Sequence, residues 1–414
     1  MPSFYCKSAH SVLNWPMKTQ ARALTAVLVL VLSFTQDNSA LANIRIGSEC
    51  KKPNSFSKVN GTKVKCTKSG KKFIWQKVTI KKAPKGIQGE SNEGKADSSG
   101  NVQLPTSFSD LVKNSAGIPR AAWAKASEVI ESNSVRLGTL EIFTGSNTKV
   151  TFDDYPKALG LVSQLFPARE VPNQNLVIRY SFEDLDWAEK KVREMLSAND
   201  YQQLNRNENG RLITSNCDEV RKTCIGSKQL TTPSNINLLL QGIPQSYDVN
   251  DPNARERLYS GMLEVHEYFH SLQRIPMLNK EPRTEVWPHA WFREGSAEWV
   301  QNVTINQKNF DKYSSYRKNN CGGSCGELTE KDIIKYLKLA NGNEVPPEFD
   351  RWLDYSLGSR VVEALVSISS PDSIIAVYEE MSRKVDFSGA FKKVYGLEWV
   401  DAIPLLAKAI HDNL

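Results

Sequence analysis

His266-Glu267-Tyr268-Phe269-His270 is the stretch on which the reading of this 414-residue chain turns. The chain has only five histidines, and two of them stand here, four residues apart. In an α-helix that spacing puts both imidazoles on one side, one turn apart. The flanks read as a helix. Asp251-Pro252 is a good start, with Asp at the N-cap and Pro in the first turn. Leu258, Met262, Val265, Phe269 and Leu272 then recur at steps of four, three, four and three. That is a buried stripe, and the helix should end near Pro276. His266 and His270 lie beside the stripe, as two nitrogen ligands for one Zn2+ ion. Glu267 points toward the remaining coordination position, placed to act as general base on a water there.

Zinc used catalytically takes three protein ligands and keeps one position open. The third ligand should come from a separate helix. Downstream stands Trp291-Phe292-Arg293-Glu294-Gly295-Ser296-Ala297-Glu298-Trp299. With this segment the sequence resembles the gluzincin clan of zinc peptidases, which includes thermolysin-like and aminopeptidase-N-like enzymes. The resemblance implies that Glu294 is the third ligand. It implies that Glu298, one turn on, is the carboxylate that orients a zinc histidine. Gly295, Ser296 and Ala297 are small, and should let this helix approach the first closely.

The resemblance covers roughly 230–400. Ile236-Asn237-Leu238-Leu239-Leu240 stands where the clan has an edge strand that hydrogen-bonds an extended peptide. Tyr355-Ser356-Leu357-Gly358 and Ala390-Phe391-Lys392-Lys393-Val394-Tyr395-Gly396 resemble the helical tail of many members. The implied fold is α+β and zincin-like: a mixed sheet with the active-site helix, then a helical part. Two features depart from the pattern. The interval from His270 to Glu294 is long, which implies an inserted loop. No Gly-Ala-Met-Glu-Asn-like segment precedes the zinc helix, so nothing identifiable grips a free amino terminus, and an endopeptidase is favoured over an aminopeptidase. Tyr355 and His289 are two further candidates, each able to donate to a transition-state oxyanion, while a core role for Tyr355 and a structural or surface role for His289 are the stronger readings.

Outward from this segment, Ala121–Ser132 and Phe182–Ser197 have helical spacing. Thr139–Thr144, Asn175–Tyr180 and Asn235–Gln241 read as strands rich in Ile, Leu and Val. Strands come mainly before helices, which again suggests an α+β layout. The globular part runs over 105–414, divided into 105–275 (sheet and active-site helix) and 276–414 (helical). Residues 81–104 are Lys, Gly, Ser and Glu with almost no large apolar side chain, a flexible linker. Residues 43–80 read as a small β module with Gly turns, stapled because so short a segment buries little core. This module resembles a short Cys-and-Trp unit common at the N-terminus of exported actinobacterial proteins.

Charge is distributed unevenly. Residues 43–100 carry fourteen Lys/Arg against four Asp/Glu, while the chain as a whole is +7, which leaves 101–414 mildly acidic. A nucleic-acid enzyme carries its basic surface on its large domain, so DNA or RNA is not the expected partner. The basic module suits either adhesion to an anionic cell envelope or a solubilising spacer. Ala23–Thr35 is an apolar run preceded by Lys18 and Arg22 and followed by Ala40-Leu41-Ala42. Residues 1–42 therefore read as a secretory signal cleaved near Ala42, with Met17 an alternative start. Removal of that segment leaves six cysteines, Cys50, Cys66, Cys217, Cys224, Cys321 and Cys325. Proximity favours disulfides 50–66, 217–224 and 321–325; the rival is a zinc site built from the last four.

Together these readings predict a secreted or envelope-associated zinc metallopeptidase acting on a peptide or protein substrate. The competing class is a non-catalytic envelope-binding protein with a structural metal site. Glu267 argues for the first, since a structural site has no need of a base beside it.

Overall fold

The structure is a computed structural model. It describes residues 48–49, 56–59, 62–69, 72–77, 102–244, 252–278, 287–321, 325–340 and 346–414. The expected signal segment, most of the expected linker, and Cys50 lie outside the described residues. The chain divides into two units between Ala96 and Asp97.

In the first unit, β1 (Phe56–Val59), β2 (Thr62–Ser69) and β3 (Lys72–Lys77) form an antiparallel sheet in that order. The strand ends put the two connections at 60–61 and 70–71, where the sequence supplies Gly61 and Gly70. Cys66 sits opposite Trp75, fully buried and disulfide-bonded.

The second unit opens with helices α1 (Phe108–Leu111) and α2 (Ile118–Ser132). Pro119 pre-sets the first turn of α2. Strand β4 (Thr139–Thr144), helix α3 (Tyr155–Leu165) and strand β5 (Gln174–Tyr180) follow as a parallel crossover unit. Then come α4 (Leu185–Met195), α5 (Ala198–Asn207), the short hairpin β6 (Cys217–Asp218) and β7 (Thr223–Cys224), and strands β8 (Gly226–Thr231) and β9 (Ile236–Gly242). The sheet order is β4-β5-β9-β8; the first three strands are parallel and β8 is antiparallel to β9.

Both sheet faces are covered, which explains why β5 and β9 read as unbroken apolar runs and not as alternating ones. Val177 and Leu239 face one core with α2, α3 and the helix of His266; Leu176, Ile178, Leu238 and Leu240 face a second core under α4 and α5. The rest of the unit is helical: α6 (Pro252–Tyr259), α7 (Met262–Arg274), α8 (Ala290–Ile305), α9 (Phe310–Cys321), α10 (Glu330–Leu339), α11 (Leu353–Ile368), α12 (Asp372–Met381), α13 (Phe387–Tyr395) and α14 (Trp399–His411). The first core continues into this half without a break, through Trp291, Phe292, Phe387, Phe391 and Trp399. Trp291 stacks on Trp399 with ring centroids 5.3 Å apart.

Four expectations need correction. The segment Ile236–Leu240 is not an edge: β9 is paired on both sides, and the edge beside it is β8, whose Gln, Lys and Thr hide it from a search for apolar runs. The helix expected from Asp251 onward is two helices. Gly261, at φ +90°, breaks it, and a Cβ there would stand 2.6 Å from the Phe152 ring. The helix expected over Phe182–Ser197 is a 3-10 turn at Phe182–Asp184 followed by α4. At the junction the Asp184 carboxylate accepts from Asn147, Thr148 and Ser181. The four-cysteine zinc site is ruled out: Cys217 is disulfide-bonded to Cys224 and Cys321 to Cys325.

Candidate metal centre

Two helices build the site. Helix α7 turns Val265, Tyr268, Phe269 and Leu272 into the core, which fixes its rotation. His266, His270 and Gln273 then share the side next to that stripe, at steps of four and three. Helix α8 answers with Glu294, Glu298 and Gln301, again at steps of four and three. The two polar stripes face each other. Glu294 Oε2 stands 3.5 Å from His266 Nε2 and 3.3 Å from His270 Nε2. The two imidazole rings lie 4.9 Å apart at 82°. Among the described residues, His266, His270 and Glu294 form the one group able to hold a metal ion, with ligand atoms within 4.8 Å of one another.

The donor set fits a small dication. Two tetrahedral ligands at about 2.05 Å from a common ion stand about 3.3 Å apart, which is the separation seen here. Both histidines also present the right nitrogen. His266 Nδ1 faces Glu298 Oε2 at 3.6 Å, and His270 Nδ1 pairs with Gln273 Oε1 at 2.7 Å. Gln273 on His270 Nδ1 holds the proton there and leaves the Nε2 lone pair for a metal, and Glu298 faces His266 Nδ1 without a hydrogen bond, at a distance a small shift would close.

Support reaches one layer further. Gln273 Nε2 donates to the Arg293 carbonyl and to Ser296 Oγ, so it ties α7 to α8 while holding His270. Glu298 Oε1 accepts from Gln301 Nε2 at 2.6 Å and from Tyr316 OH at 2.9 Å, and Arg257 on α6 lies 3.8 Å from Oε2. Tyr355 on α11 stacks on the His266 ring, at 5.9 Å and 17°. Spacing alone could have flagged Gln273 and Gln301, three residues beyond His270 and Glu298. Arg257 and Tyr316 carry no such signal, because only the packing of α6 and α9 brings them near.

Burial dominates the electrostatics. It pushes His266 down to about 3, so that ring is neutral. Burial raises Glu267 and Glu298 above the ordinary carboxylate range. Burial opposes the charge on Glu294 too, but His270, His266 and Arg293 outweigh it and hold that carboxyl well below its usual value. Burial would likewise lower His270, and the Glu294 charge reverses the sign and raises it. The site thus draws positive charge to the point between His270 and Glu294. Glu267 stands beside this point, near enough to the Gln229 backbone of edge strand β8 for that amide to offset part of its burial.

Two expectations about neighbours change. Gly295 does not serve the approach of α8 to α7; a Cβ there would meet the Gly358 backbone at 2.2 Å, so its smallness serves the contact with α11. Ser296 is the small residue that faces α7, through Gln273. His289 precedes α8 and packs on Phe387 with centroids 4.4 Å apart, and burial lowers it to about 4. That is the setting of a packing residue. No family model matches the chain, and no curated protein and no solved structure matches it either.

Proposed function

We propose that the chain is an exported zinc-dependent peptidase that cleaves internal peptide bonds. The observation that carries the reading is the convergence of His266, His270 and Glu294 from two helices, with Glu267 beside them. The two-nitrogen, one-carboxylate set suits zinc, and its incomplete ligation leaves room for substrate. Zinc bound there would act as a Lewis acid on the scissile carbonyl and would acidify a water.

The protein's own groups do the rest. Glu267 takes the proton of the attacking water and passes it to the leaving amine. Its burial suits that part, since a raised carboxyl holds the proton long enough to deliver it. Gln273 keeps the His270 imidazole oriented, and Glu298 is placed to accept from His266 Nδ1 once a metal draws that ring in. Tyr355, stacked on His266, is the candidate donor to a developing oxyanion. Among the described residues no strand lies beyond β8, which packs against α7, so an extended peptide added to that edge would run past Glu267. The two disulfides fit an oxidising compartment.

The test is metal content of the purified mature chain, together with hydrolysis of a mixed peptide library with and without a chelator. One zinc per chain and chelator-sensitive internal cleavage are the expected results. Bound zinc without cleavage would instead favour the structural metal site.

A further inference from the structure

A second polar site lies behind the metal centre, in a small chamber between α8, α9 and α11. Glu298, Tyr313, Tyr316, Arg317, Arg360 and Glu363 contribute to its walls. Its room is that of about one small ion or water.

Its walls hold two carboxylates and two guanidiniums, and Arg257 facing Glu298 from outside them adds a third cation. Glu363 accepts from Arg317 Nε at 2.7 Å and from Tyr313 OH, so it already has a cation and a donor. Glu298 faces Arg257 and accepts from Tyr316 and Gln301. Arg360 is the cation left over. It is only 3% exposed, and one of its nitrogens, Nη2, donates to the Arg317 carbonyl. Its Nε and Nη1 are fully buried, and neither has an acceptor among the described residues. Burial and repulsion from Arg317 outweigh the attraction of Glu363, which Arg317 already shares, and push Arg360 down to about 9, which still leaves it charged at neutral pH. An unpaired buried guanidinium is among the most costly groups a fold can hold. A water would satisfy its geometry but not its charge.

We propose that this chamber is a binding site for a small monovalent anion, of which chloride is the type, held by an unpaired N–H of Arg360. Polyatomic anions such as sulfate are too large for the room available. Because Glu298 lines the chamber and also faces His266, the anion would sit one side chain from the metal ligands.

The experiment needs neither metal nor turnover, so it stands or falls apart from the peptidase reading. Thermal melting of the mature chain is followed in sodium chloride and in sodium gluconate at equal ionic strength, for the wild type and for Arg360→Met. The wild type should melt a few degrees higher in chloride. Arg360→Met should melt alike in both salts, and in gluconate no lower than the wild type, because it removes an unpaired charge. Crystals grown with bromide should give an anomalous peak beside Arg360. Absence of that peak, or an equal chloride response in both proteins, overturns the proposal. Should the variant fail to fold, the bromide peak in the wild type decides.

Discussion

In the proposed reading, Glu267 is the residue at which metal binding and catalysis separate. It is not one of the three converging ligands, yet it stands beside them. Glu267→Gln should therefore keep stoichiometric zinc by elemental analysis and lose turnover by about 10²–10⁴-fold. Loss of zinc in that variant would mean that the ligand set is misassigned. Glu298→Ala should act the other way. It removes the acceptor facing His266 Nδ1 and should weaken zinc about 10–100-fold in a competition titration, with kcat of the zinc-saturated protein less affected. Acid should also release the metal. Both histidines must be neutral to bind, and His270 is raised by Glu294, so it takes a proton first as pH falls. Zinc retention, and the stabilisation it brings, should be full at neutral pH and lost progressively on the acid side of neutrality, as dialysis at stepped pH would read.

The approach of α8 to α11 is set by glycine. Gly295 and Gly358 meet backbone to backbone, and a Cβ on Gly358 would stand 2.3 Å from the Trp291 carbonyl oxygen. No rotamer change relieves such a clash; a helix must move. Gly358→Ala should cost about 2 kcal/mol or more by denaturant titration. The same shift displaces Glu294, so zinc affinity should fall although no ligand has changed. Gly295→Ala, which meets the same helix, should behave alike. A variant with wild-type stability would show that α8 and α11 have slack.

At the scale of the whole chain, the metal ligands join two halves of one unit. His266 and His270 belong to the helix under the sheet, and Glu294 to the helical half. Bound metal should therefore stabilise the unit as one body, and a chelator should lower a single melting transition without creating a second. The basic N-terminal unit makes a separate prediction. A chain beginning near 105 should keep its hydrolysis of a neutral soluble peptide and lose salt-sensitive retention on insoluble anionic wall material. Equal retention of both chains would make the module a spacer.

The sequence by itself determined most of the elements and the residues that converge at the site. The apolar stripe of α7, the i, i+4 histidines, the carboxylate pair of α8 and the runs of β4, β5 and β9 are local periodicities, and local periodicity survives without knowledge of what lies opposite. Proximity along the chain likewise gave the 217–224 and 321–325 disulfides. Only tertiary structure decided which strand is an edge, since that depends on the neighbours of β9 and not on its composition. The break at Gly261 depends on Phe152, more than a hundred residues away, and so no window around the helix contains it. Arg257 and Tyr316 reach Glu298, and Arg360 is stranded beside Arg317, for the same reason: buried charges are set by packing between helices, and packing is not written in the spacing of any one of them.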